Sequence, residues 1–265
     1  QALSANTTGA QNVVVGGSAG TSITTADYNS ALGYRALQLT TTGGSNTAIG
    51  GQALENNTTG SNNTAIGVNA LDANTTADNN TAVGLQALKS NTTGASNVAV
   101  GRDALEANTT ASNNVAIGLD ALTANTTGAQ NTAVGNYALD ALTTVAECTA
   151  VGYQAAFSNT SGVNLTAIGK QALYANTTGH HNTAVGIACL DANTTGASNT
   201  AVGVGTLGAN TTASNNTAIG HSAFLNNTTG DAGVAVGKST LTSNTTGRFN
   251  TGCGYEALYS NTTGG

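Results

Sequence analysis

Proline, methionine and tryptophan are absent from this sequence, and charged residues make up only 7% of it. Six Lys and Arg, scattered along 265 residues, cannot form the clustered cationic surface that a duplex needs, which excludes nucleic acid as a partner. No apolar run approaches the ~18 residues of a membrane-crossing helix, so this segment inserts into no bilayer. Aromatic bulk is scarce too. Three Phe and seven Tyr leave little with which to fill a wide interior. Neither an initiating Met nor a secretory leader is present, and the chain opens and closes inside a repeat: Gln1-Ala2-Leu3 matches Gln86-Ala87-Leu88. The expectation is a segment of a longer chain, or a subunit whose ends are covered by neighbours.

What is present is a beat. A glycine recurs every 17 residues, fifteen times, from Gly16 and Gly33 through Gly67, Gly84, Gly101 and Gly118 to Gly237 and Gly254. A fixed short period without insertions means that one small unit is stacked along an axis, which predicts an elongated single array over residues 1–265 and disfavours a pocket-based enzyme. The unit reads N-T-A-[VI]-G-x-x-A-L-x-x-N-T-T-G-x-x, as in Asn63 to Asn79.

Each phase of the unit carries a physical message. The residue before the glycine is Val, Ile or Leu in fourteen of fifteen units, as at Val83, Val100, Ile117 and Val134; Cys253 is the exception. Two residues earlier stands Thr or Val, again β-branched, which suits a strand, and spacing of two puts both on one face. Four residues after the glycine comes Leu, as at Leu71, Leu88, Leu105 and Leu122. These aliphatics are the expected core. Gly67, Gly84, Gly101 and Gly118 are expected to turn the chain with positive φ or to let another backbone pass close by. The glycine of N-T-T-G gives way to Ala77, Ala111 and Ala213, so that phase asks only for a small residue. Recurrent Gly and β-branched residues, without an i, i+3, i+4, i+7 pattern, exclude a helical solenoid. The expected fold is all-β: a parallel β-solenoid, or β-roll, with two short strands and two turns per coil and about 4.8 Å between coils. Two aliphatics per coil make a thin core, and packing against sister chains is the natural remedy.

Three cysteines sit at three phases: Cys148 four before a glycine, Cys189 three after one, Cys253 one before. Residues at different phases of distant coils do not meet, so no disulfide framework is expected, and each reads as a small buried substitute. The Asn of N-T-T-G, including Asn74, Asn91, Asn108 and Asn125, heads a formal N-x-T sequon, as do Asn62, Asn79 and Asn215 elsewhere in the unit. The competing account of the N-T-T positions is an Asn ladder of stacked amides fixing a turn from coil to coil. Glycans on successive rungs would collide, which favours the ladder and leaves room only for sparse glycosylation.

Other features suggest chemistry and fail to support it. The adjacent Thr of N-T-T point to opposite faces, and the Thr of N-T-A exchanges with Val as if facing inward, so an ice-binding plane lacks its second rank. His180, His181 and His221 lie at turns without a ligand set, so no metal is expected, and nothing calls for a cofactor. Glu55, Asp72, Glu106, Asp140 and Asp191 share one outward phase without converging on a base or nucleophile. Between Gly16 and Gly50, and again between Gly135 and Gly152, N-T-T-G is lost, with Ile23, Thr40 and Leu142 at the Asn phase; repeat drift suffices as a cause.

The segment Asn113-Asn114-Val115-Ala116-Ile117-Gly118 resembles the N-S-V-A-I-G signature of trimeric autotransporter adhesin heads of the YadA type, and similar N-T-A-[IV]-G arrays occur in bacteriophage tail-fibre-like proteins. The resemblance spans all fifteen units through five or six residues each. It implies a left-handed parallel β-roll assembled as a homotrimer, with the Val115 and Ile117 type of position pointing inward. Those heads use a shorter unit, so the second half of each coil must differ. The expected function is non-enzymatic: an extracellular fibre or adhesin segment, on a cell or virion surface, used for attachment or spacing. Its partners would be its own copies and a cell-surface or matrix receptor. A self-assembling filament subunit stacked end to end is the alternative, and an ice-binding β-solenoid a further one.

Overall fold

The computed structural model describes residues 1–264. The chain divides into two compact units, Gln1–Asn131 and Thr132–Gly265, and each is a parallel β-solenoid. The first carries β1 (Val13–Val15), β2 (Ser30–Leu32), β3 (Thr47–Ile49), β4 (Thr64–Ile66), β5 (Thr81–Val83), β6 (Val98–Val100) and β7 (Val115–Ile117). The second carries β8 (Thr132–Val134), β9 (Thr149–Val151), β10 (Thr166–Ile168), β11 (Thr183–Val185), β12 (Thr200–Val202), β13 (Thr217–Ile219), β14 (Val234–Val236) and β15 (Thr251–Cys253). Within each unit neighbours pair in parallel and in strict register: Thr64, Ala65 and Ile66 lie against Thr81, Ala82 and Val83. Partners are one repeat apart, so each coil is one 17-residue unit.

One strand per coil replaces the two that the repeat suggested. The second half of the unit is a chain of turns, because two of its residues adopt left-handed backbone: Gln86 with φ 59° and Leu88 with φ 53° in one coil, Asn69 and Leu71 in the coil before. Such conformations cost an L-residue roughly 1–2 kcal/mol. Hydrogen bonds from coil to coil offset this, as where Leu71 N–H donates to Ala87 O at 3.0 Å and Thr75 N–H to Thr92 O at 3.1 Å. The turns therefore continue the ladder that the strands begin.

The invariant glycine meets both demands expected of it. Gly84 has φ 143°, and a Cβ on it would lie 2.6 Å from the carbonyl carbon of Gly101 in the next coil. Gly67 and Gly101 repeat this geometry, and Gly118 shares the φ. No L-residue fits such a position.

The core corrects the sequence reading on one point. The residues that flank the middle of each strand, β-branched in all but β2 and β15, do share a face, but it is the outer one. Ile117 is 39% exposed and Ile66 37%, while Val83, Val100 and Val134 are half-buried. The inward residue is the Ala between them: Ala65, Ala82, Ala99 and Ala116 are fully buried. Leu71, Leu88, Leu105 and Leu122 are wholly buried, each next to a buried Ala. The reason is volume. A 17-residue coil encloses a narrow space already occupied by one Leu and two Asn side chains, and only a methyl group fits opposite them.

Candidate functional site

No pocket and no cluster of three or more potential metal ligands is formed among the described residues. What the fold builds instead is ranks: identical side chains stacked rung on rung. Besides the buried Leu and Ala, two polar ranks lie inside and two ranks outside.

The first inner rank is the N-T-T asparagine. Asn74, Asn91, Asn108 and Asn125 are fully buried. Asn91 Nδ2 donates to Asn74 Oδ1 at 3.2 Å and to Gly94 O at 2.9 Å, and Asn108 Nδ2 donates to Asn91 Oδ1 at 2.8 Å. Each amide thus closes its own turn and ties it to the preceding coil. Where Thr40 replaces Asn, its hydroxyl takes over as acceptor from Asn57 Nδ2 at 3.3 Å.

The second inner rank, the Asn of N-T-A, was not singled out in the sequence. Asn80 N–H donates to Asn63 Oδ1 at 2.9 Å, and Asn80 Nδ2 donates to Gly94 O at 2.9 Å. Where both asparagines are present, the turn carbonyl therefore receives two amides, one from each rank, as Gly94 O does from Asn80 and Asn91. Its signal was available: Cys148 stands at this phase, and its Sγ donates to Gly162 O at 3.4 Å in place of an amide.

The outer ranks lie on the strand face. The Thr or Val three before the glycine and the Val or Ile one before it repeat along β1–β7 and again along β8–β15, with Ser30 and Leu32 in β2 and Cys253 in β15 as the substitutes. The charged residues elsewhere are dispersed. Arg35 pairs with Glu55 at 3.4 Å and Lys89 with Glu106 at 3.8 Å. Burial, and then the neighbouring Glu55 carboxylate, raises the Asp72 carboxyl above its usual range, with Lys89 opposing. Burial alone raises Asp191, against hydrogen bonds from its own and the Ala192 backbone. His180 Nδ1 accepts from Val163 N–H at 3.1 Å, which occupies the nitrogen as a turn brace. Burial pushes the Cys189 thiol up to about 12, and its Sγ donates to Ala201 O at 3.2 Å. Cys253 is exposed, which corrects the expectation that all three cysteines are buried: it occupies the outward Val/Ile phase.

No helix among the described residues is long and apolar enough to cross a membrane. No family model, curated protein or solved structure matches the chain.

Proposed function

We propose that this chain is a structural fibre segment, extracellular, working through self-association on its strand face and serving attachment or spacing. The observation that carries the reading is the outward Val/Ile rank. A folded chain that places its small Ala inside and its larger β-branched residues outside, coil after coil, presents apolar surface in a continuous stripe. Covering the exposed ~40% of one Ile contributes about 0.6–1.2 kcal/mol, taking ~1.5–3 kcal/mol for complete burial. One rung cannot offset the ~4–15 kcal/mol cost of association, whereas a rank of seven in register contributes about 4–8 kcal/mol per face. The repeat supplies the number, and in a homotrimer the stripe of each chain meets those of its two neighbours. The resemblance to trimeric adhesin heads supports the same assembly.

Light scattering behind size exclusion tests it. A mass three times the 25.8 kDa of one chain is expected. Ile66→Lys together with Ile117→Lys should give a folded monomer, because both side chains face outward. A wild-type monomer at micromolar concentration would remove the assembly and with it the main support for a fibre.

One observation favours a second reading. The Thr of N-T-A lies outside, beside the Val/Ile rank, so the strand face offers the two parallel ranks that an ice-binding plane requires. Thermal hysteresis by a monomeric chain would select this reading; a trimer without hysteresis would exclude it.

A further inference from the structure

The formal sequons of this chain are not equivalent once folded. The N-T-T asparagines have their Nδ2 atoms hydrogen-bonded within the turn, as Asn91 and Asn108 illustrate, and are buried except at the two ends, where Asn6 and Asn261 are held by Gly9 O at 3.0 Å and Asn244 Oδ1 at 3.0 Å. Asn56, also in a sequon, donates to Asp72 O at 3.0 Å. Asn226 is exposed, but the hydroxyl of its sequon partner Thr228 is committed to Thr245 O at 3.0 Å. Four remain, all five residues before the invariant glycine: Asn62, Asn79, Asn164 and Asn215. Each is exposed at a turn, with φ 59°, 63°, 54° and 62° respectively. None of the four side-chain amides has a hydrogen-bond partner among the described residues. Two residues on, Thr64, Thr81, Thr166 and Thr217 open β4, β5, β10 and β13 on the outer face. Amide and hydroxyl of each sequon are thus presented together on the folded chain before its strand face is covered by a neighbour.

We propose that Asn62, Asn79, Asn164 and Asn215 are the N-glycosylation sites of the folded chain. The donor is a sugar activated as a glycosyl diphosphate, nucleotide- or lipid-linked. The bond from sugar C1 to the diphosphate oxygen breaks, C1 bonds to Nδ2, and one amide proton leaves with the departing diphosphate. Other coils carry Ser96, Gln130, Glu147 or His181 at this phase, so the sites are sparse by sequence. Asn62 and Asn79 are on adjacent rungs about 4.8 Å apart, too close for two glycans side by side. At most three sites fill on one chain. Only the source of the donor rests on the extracellular reading.

The test uses the folded chain with a soluble N-glycosyltransferase and a nucleotide-activated hexose, followed by peptide mass mapping, with the urea-unfolded chain run in parallel. The expected result is hexose on Asn164 and Asn215 and on one of Asn62 or Asn79, with the N-T-T asparagines modified only after unfolding. Thr166→Val, which installs the residue that Val98 and Val115 already supply at this phase, should abolish modification of Asn164 alone. Hexose on Asn91 or Asn108 of the folded chain, or turns left bare while the unfolded chain is modified, would overturn the assignment. Surface labelling of the source cell reports the extracellular placement separately, so an intracellular chain that still accepts hexose at these turns counts against that placement only.

Discussion

Removing one amide from the N-T-T ladder should loosen the solenoid locally, by an amount that follows from the geometry. In Asn91→Ala, Asn74 Oδ1 loses its donor from the next coil, and Asn108 Nδ2 loses one of two acceptors. Gly94 O keeps the amide of Asn80 at 2.9 Å, so the turn carbonyl is not orphaned. One buried acceptor without a partner costs ~1–3 kcal/mol, and the space left by a carboxamide adds about 1 kcal/mol. The sum is about 2–4 kcal/mol. A repeat protein does not unfold as a single two-state block, so the readout must be local. Thr92 N–H, which donates to Thr109 O at 2.9 Å, reports this coil. Its amide exchange should speed up roughly 30- to 1,000-fold, at one decade per ~1.4 kcal/mol. Asn91→Leu fills the space without restoring the amide, as Ile23 and Leu142 do at the same phase while fully buried, so its effect should be smaller. Asn79→Gln, at an exposed turn where Gln130 holds the same left-handed phase, should stay within about 0.5 kcal/mol of wild type. A change at Thr92 of less than about threefold in Asn91→Ala would refute the ladder as a source of stability.

Three further outcomes are expected. Ala99→Leu overpacks the interior and should destabilise by about 1–3 kcal/mol, whereas Val100→Thr, one residue on and facing outward, should change monomer stability by less than about 0.5 kcal/mol; thermal melts compare them. The raised Asp72 carboxyl means that the folded chain holds its proton at a pH where the unfolded chain has released it. Stability therefore falls as pH rises from the ordinary Asp value of 3.8 through the folded value, and Asp72→Asn should remove that slope and melt higher at neutral pH. Finally, a chromogenic disulfide reagent at pH 8 should titrate one thiol, Cys253, in the folded chain and all three after denaturation, because Cys148 and Cys189 are buried. Rapid reaction of Cys189 before unfolding would contradict its burial.

Much of the architecture is carried by local rules. The 17-residue period fixes the coil, the invariant glycine marks a place where the backbones of successive coils pass close, and alternation puts Thr64 and Ile66 on a single face. The Asn ladder follows from the same logic, since a polar residue repeated at one phase of a stack can satisfy itself with its own copies. Which face of the strand turns inward does not follow from alternation. Hydrophobicity alone would send Ile117 inside, and it is the volume left by Leu122, Asn114 and Asn125 that sends Ala116 there instead. Likewise every N-x-T triplet looks alike in sequence, and only the fold separates Asn91, locked between coils, from Asn164, open at a turn. Periodicity sets what repeats and at what spacing, because it is a property of the chain. Inside and outside are properties of an enclosed volume, and that volume exists only once the coil has closed.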